Sequence, residues 1–276
     1  MQSIKRVSVV STGSVEIHPE HVARTRAPEL WWLMTSRRWT APRPINVYVI
    51  EHESGLVLFD TGQDRASVTD KNYFPGGLIG VIYSRLARFS IKADETLSAQ
   101  LAKIGYDIAD VKTVVISHLH QDHIGGLAEL AHAEIIVGAA EIASAREKRP
   151  ETRGYLTNHI FIPGLRWKPL EGELDLFDDG ALTIIPTPGH TPGSLSMLAK
   201  QDGMTPLLFV GDLTYDVSLL EKGHVPGVGD KAGLEASTEQ VTQLAVQHPG
   251  LVVLAAHDPA AAGLLGAAQT ESPVTE

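Results

Sequence analysis

The chain contains no cysteine. Disulfides and thiolate ligands are both excluded, so only His, Asp, Glu and water can hold a metal ion. Basic charge is also short: 23 Lys and Arg stand against 33 Asp and Glu, a net charge of −10. Phosphate backbones need a basic surface that nothing here supplies, and an anionic membrane surface is an equally poor match. No run approaches the ~18 apolar residues of a membrane span. Val7-Ser8-Val9-Val10, behind Lys5-Arg6, is too short for a signal-peptide core and reads as a first β-strand. No repeat of fixed period and no linker-like stretch divides the sequence. With 276 residues and 43% apolar content, the chain can bury a sizeable core. The expectation is one soluble, cytoplasmic domain over 1–276, with Gln269 to Glu276 as a disordered tail. Neither nucleic acid nor membrane is expected as a partner; a homodimer stays open.

One stretch organises the rest: Ser117-His118-Leu119-His120-Gln121-Asp122-His123. The apolar run Val111 to Ile116 before it reads as a buried strand, and Gly125-Gly126 after it as the tight entry to another element. The His-rich stretch is then a loop at the C-terminal edge of a sheet, where open α/β architectures place their sites. On an extended backbone, residues two apart point the same way, so His118 and His120 can reach one ion together. Asp122 and His123 are neighbours and must diverge, which suits a second ion nearby. A solvated loop or a set of capping histidines is the plainer alternative. Four ligand-type residues at this spacing favour a metal site, and imidazole nitrogen with carboxylate oxygen suits zinc.

Elsewhere the signals are weaker. Ser14 to Arg43 reads as irregular and holds Leu30-Trp31-Trp32-Leu33-Met34, an apolar cluster that suits a core, a pocket lining or a partner surface. Asn46 to Ile50 and Leu56 to Phe59 read as a hairpin of strands. Asp60 follows the second strand; read alone, it is a turn-forming residue. Tyr73 to Tyr83 is apolar, glycine-rich and without a clean period, either a mobile lid or a packed loop. Ala93 to Ile104, Leu127 to His132 and Ala139 to Lys148 read as helices, with Glu134 to Val137 a strand. Arg149 to Leu170 reads as a second irregular insert, and its His159 as a surface or structural histidine.

The second half repeats one theme: a short apolar strand, then a ligand-type residue. Leu182 to Ile185 leads to His190 in a Pro/Gly-stiffened turn, Leu207 to Gly211 to Asp212 with Tyr215 close behind, and Leu251 to Ala256 to His257. Singly, each of these residues is more often structural than catalytic. Their shared placement points to one site. Leu234 to Val246 reads as an amphipathic helix with Leu234, Val241, Leu244 and Ala245 as its apolar positions.

In ligand type, order and spacing, His118-Leu119-His120-Gln121-Asp122-His123 with His190, Asp212 and His257 resembles the metallo-β-lactamase superfamily, over about Asn46 to His257. The resemblance implies an αββα sandwich with a dinuclear metal site at one edge. It also implies that His118, His120 and His190 hold one zinc, and that Asp122, His123 and His257 hold the other. Asp212 would bridge both ions, and Asp60 would be the outer carboxylate that orients a ligand. Other divalent metals can replace zinc in such a donor set.

Within the superfamily, flavodiiron-type proteins have Glu where His120 stands, and the best-known β-lactamase branches have another residue at Asp212. Glyoxalase II carries a C-terminal helical region that the short stretch after His257 does not match. RNA-processing relatives want a basic surface. The remaining resemblance is to N-acyl homoserine lactone lactonases, with Tyr215 matching a tyrosine beside the substrate. It implies opening of a small-molecule lactone by hydroxide generated between the two metals, with Tyr215 stabilising the oxyanion and Asp122 carrying the proton. The apolar inserts around Trp31-Trp32 and Phe74 to Tyr83 can accommodate an acyl chain. The rival readings are a lactonase for a heterocyclic or aryl lactone, a phosphodiester or phosphotriester hydrolase, and a non-catalytic binding scaffold.

Overall fold

The computed structural model describes residues 3–271. Seven strands make the first sheet: β1 (Ile4–Ile17), β2 (Arg43–His52), β3 (Gly55–Phe59), β4 (Ala87–Ser90), β5 (Val111–Val115), β6 (Glu134–Gly138) and β7 (Arg166–Leu170), in the order β4-β1-β2-β3-β5-β6-β7. Five make the second: β8 (Leu174–Asp175), β9 (Leu182–Pro186), β10 (Leu195–Ala199), β11 (Leu207–Phe209) and β12 (Val252–Leu254), in the order β12-β11-β10-β9-β8.

Alternation along the strands explains how the sheets stack. In β2 and β3, Tyr48, Ile50, Val57 and Phe59 face the second sheet, meeting Leu182, Met197, Leu207 and Phe209. Their neighbours Val47, Val49, Leu56 and Leu58 face the other way, onto Leu97, Leu101, Leu127 and Ile142. On the far side, Leu198, Leu208 and Val253 meet Leu234 and Val241 of the helix Lys231–Gln247. Side chains two apart share a face, so each strand serves two apolar layers. The result is the expected αββα sandwich.

The topology collects strand ends at one edge. β3 runs parallel to β5, and β11 parallel to β12. β9 and β11 are both antiparallel to β10 and so run the same way. The residues that follow these strands therefore leave from one side. There the sheets are tied together: Leu195 N donates to Ser117 O at 2.8 Å, Asn46 N to Ala256 O at 2.9 Å, and Tyr48 Oη to Ala255 O at 2.7 Å. Gly211, at φ +54°, permits a close approach, because a Cβ there would lie 2.7 Å from the Cβ of Ser117.

Several expectations need correction. Ser14 to Arg43 is not irregular throughout: β1 continues to Ile17 against β4, and helices cover Pro19–Val22 and Glu29–Thr35. Leu127 to His132 makes only a 3₁₀ turn, Leu127–Glu129. The helix predicted over Ala139 to Lys148 stops at Ala145. Tyr73 to Tyr83 leads into a helix, Gly77–Leu86, and the second insert contains Pro150–Arg153, Thr157–Ile160 and β7. In the helix Lys231–Gln247, Ala245 is exposed while Ser237 and Thr238 are buried. Gln269 to Glu271 are not a disordered tail but close the helix Ala261–Glu271; the rest of that expectation, 272–276, lies outside the described residues. No described helix is long and apolar enough to cross a membrane.

Candidate metal centre

The loop after β5 brings His118, His120, Asp122 and His123 to the shared edge, and the loops after β9, β11 and β12 bring His190, Asp212 and His257. All seven side chains converge. His118 Nε2 lies 3.0 Å from His120 Nδ1, which lies 3.1 Å from His190 Nε2. In a second group, His123 Nε2 is 3.3 Å from His257 Nε2, and Asp122 Oδ2 is 3.5 Å from the same His257 nitrogen. Asp212 stands between the groups. Its Oδ2 is 3.5 Å from His190 Nε2 and 3.9 Å from His118 Nε2, while its Oδ1 is 3.4 Å from both His123 Nε2 and His257 Nε2.

Hydrogen bonds on the far side of the rings set which nitrogens point inward. His123 Nδ1 donates to Asp60 Oδ2 at 2.8 Å and His257 Nδ1 to Pro44 O at 2.9 Å. His120 Nε2 donates to Arg153 O at 3.1 Å. Ser117 Oγ donates to Asp60 Oδ2, which leaves it to accept from His118 Nδ1 at 3.0 Å. Each of these four imidazoles, when neutral, thus turns a bare nitrogen toward the centre. Lone pairs facing one another at 3.0–3.3 Å repel unless a cation lies among them. Tetrahedral nitrogens about 2.0–2.1 Å from zinc stand roughly 3.3 Å apart, so the donor set fits such an ion. Asp212 Oδ1 and His190 Nδ1 are buried without a hydrogen-bond partner.

Charge follows the same geometry. Burial, with His123 and His120 nearby, pushes His118 well below the usual histidine range, and burial does the same to His190. Burial opposes a charge on His123 too, but the carboxylates of Asp212 and Asp60 outweigh it and hold its imidazolium well above that range. Asp212 stays ionised despite its burial because His257 and His123 surround it. Burial and the Asp212 carboxylate push the Tyr215 phenol well above its usual value, so it remains a hydrogen-bond donor.

Asp60 caps β3 in the left-handed region, at φ 66°. This conformation aims its carboxylate at Ser117 N (2.7 Å), Ser117 Oγ and His123 in one step. Glu141 does comparable work unannounced by the sequence. Fully buried, it accepts from Leu119 N at 2.9 Å and Gly193 N at 3.0 Å, joining the loop of His118 to the loop of His190. Nothing in Ala139-Ala140-Glu141 distinguishes it from a surface glutamate. His159 makes no approach to the centre; it stacks on Tyr73 and bonds its carbonyl, as a structural histidine does.

A cavity of about 350 Å³ opens over the centre. Its floor includes His120, Asp122, His190, Asp212, Tyr215 and His257, and its apolar wall is formed by Val15, Ile17, Leu33, Ile82, Leu86 and Phe89. Trp31 and Trp32 part company: Trp32 is 3% exposed and packs near His18 and His21, whereas Trp31 is 66% exposed.

A catalytic edge of this design on an αββα sandwich defines a class, and the chain belongs to the metallo-β-lactamase superfamily, whose profile matches residues 40–257. Its donor set is one for divalent metal. Among its relatives is the N-acyl homoserine lactonase AttM of Rhizobium radiobacter, 33% identical over 224 residues that cover 78% of this chain and 82% of the relative. An N-acyl homoserine lactonase from a Bacillus species is 29% identical over 216 residues, 78% of this chain and 81% of its own. A solved variant of Bacillus thuringiensis AiiA, holding N-decanoyl-L-homoserine at its active site, shares the fold with a TM-score of 0.77 and 22% identity, across 94% of this chain and 95% of that one.

Proposed function

We propose that this chain opens the lactone ring of N-acyl homoserine lactones, using two zinc ions. It is a hydrolase of the carboxylic-ester class, and the relatives that support the substrate are homoserine lactonases. One observation carries the reading: Asp212 presents one oxygen to each of two ligand groups, directly beneath a cavity whose wall is apolar. His118, His120 and His190 would hold one ion and Asp122, His123 and His257 the other, with Asp212 shared. When bound, the pair supplies Lewis acidity, bringing the pKa of water in the site near neutrality and polarising a carbonyl.

The chain's own residues supply the rest. Tyr215 donates a hydrogen bond to the lactone carbonyl oxygen as negative charge grows there, worth about 2.7–4 kcal/mol for a well-placed donor. The oxygen of water joins the carbonyl carbon, and the ring C–O bond breaks. Asp122 takes the proton from that water and passes it to the departing ring oxygen. The product is an open-chain N-acyl homoserine. Val15, Ile17, Leu33, Ile82, Leu86 and Phe89 shed water from the acyl chain, at about 0.8 kcal/mol for each CH₂ fully buried.

The experiment is proton release by the zinc-loaded protein on short- and long-chain N-acyl homoserine lactones, a plain γ-lactone, an aryl lactone and a phosphodiester. Homoserine lactones should turn over fastest. Turnover of only the aryl lactone or the phosphodiester would retain the site and reject the substrate. Metal analysis of the active protein should return two zinc ions per chain.

A further inference from the structure

We propose that His21 is a positioning residue for Tyr215: it donates from Nε2 to the phenol oxygen and so directs the single phenolic proton toward the metal edge and the substrate. The inference rests on the role given to Tyr215 above.

His21 lies in the short helix Pro19–Val22 and is 6% exposed. Its Nε2 is 3.0 Å from Tyr215 Oη, with the rings edge to face at 5.0 Å. The same Oη lies 2.7 Å from Asp212 Oδ2. A phenol has one proton, and a carboxylate oxygen only accepts. Were that proton given to His21, two oxygen lone pairs would face each other at 2.7 Å. The proton therefore belongs to the Asp212 side, and the imidazole must carry its own at Nε2. Burial pushes His21 down to about 3, so the ring is neutral with one N–H. Its other nitrogen, Nδ1, is buried without a partner, as fits a bare lone pair. A phenol that accepts a hydrogen bond on its oxygen is polarised into a better donor.

The backbone holds His21 to the task. Gly227 N donates to His21 O at 2.8 Å, and Val225 O accepts from Arg24 N at 2.9 Å. Gly227 lies so close that a Cβ there would sit 1.8 Å from Glu20 O. The same strap ends at Asp230, whose N donates at 2.7 Å to Gly189 O, next to His190. One segment thus sets His21 and a metal-edge loop against each other.

The test combines kinetics with a readout that needs no substrate. In the zinc-loaded protein, nitrogen-15 NMR of labelled histidine should find His21 as the Nε2–H tautomer, with a signal that moves in Tyr215→Phe; an Nδ1–H tautomer overturns the proposal. His21→Met should lower kcat about tenfold, the scale of one lost hydrogen bond, with KM little changed. His21→Gln, which keeps a donor, should recover most of that loss. In a Tyr215→Phe background, His21→Met should cost nothing further. Equal losses in both backgrounds would assign His21 a merely structural role. Should the wild type open no homoserine lactone, the substrate reading falls while the tautomer still decides the role of His21.

Discussion

Two regions face each other across the cavity, and they are built by different means. The metal edge consists of residues placed within a few positions of strand ends, buried except for the half-buried His120, with the outer nitrogens of His118, His120, His123 and His257 each held by an oxygen. The opposite rim combines Val15 and Ile17 of β1 and Phe89 of β4 with short helices from the intervening chain. These helices bury one face, yet leave Leu30, Trp31, Leu78 and Val81 between 49% and 77% exposed. Sheets fix atoms to the tolerance that chemistry requires, because many backbone hydrogen bonds must break together before a strand end moves. Short helices docked by a few apolar side chains tolerate replacement. The metal-ligating groups thus belong to the framework, while Leu33, Ile82 and Leu86 of the cavity's apolar wall belong to the insert.

This contrast can be broken most severely at Asp212. Asp212→Ala removes the carboxylate shared by both ligand groups, and kcat/KM should fall by roughly a thousandfold or more, with metal content reduced. Retention of two ions and near-normal turnover would end the claim that Asp212 unites the site. Tyr215→Phe comes next, with an expected loss of about a hundredfold in lactone kcat, the scale of one oxyanion donor. Phosphodiester cleavage, if measurable, should change little; equal losses on both substrates would remove Tyr215 from a lactone-specific role.

A milder effect is expected behind the ligands. Asp60→Asn weakens the orientation of His123 and should reduce zinc affinity about 10–100-fold by competition titration. The pH dependence has a definite sign. Zinc must displace the proton that Asp212 and Asp60 hold on His123, so affinity should drop as pH falls below that raised value, with proton release on binding. Affinity independent of pH would contradict this account. The smallest effect belongs to the rim: Leu33→Ala should raise KM for long-chain substrates several-fold while leaving kcat and metal content intact. A loss of metal in that variant would show that the two regions are not separable.

Much of this was legible in the residues because it is local. The strands β2, β3, β5 and β6 follow from β-branched and alternating runs, and each ligand-type residue follows its strand within a few positions. β10 was less legible: Leu195-Ser196-Met197-Leu198-Ala199 has no β-branched residue, and burial between β9 and β11 overrides its helical preference. The rim was misread as irregular for a related reason. Helices such as Pro19–Val22 are too short to show a period, and only their packing defines them.

By itself, the sequence determined the chemistry available: no thiolate, a run of three imidazoles and a carboxylate, and three later ligand-type residues in order. Tertiary structure alone decided how Asp212 divides its oxygens, that Glu141 fastens two loops, that Trp32 is buried while Trp31 is exposed, and that His21 reaches Tyr215 from 194 positions away. Local preference is written into neighbouring residues. Partnership between distant ones depends on which sheet edge the backbone brings them to, and no spacing along the chain records it.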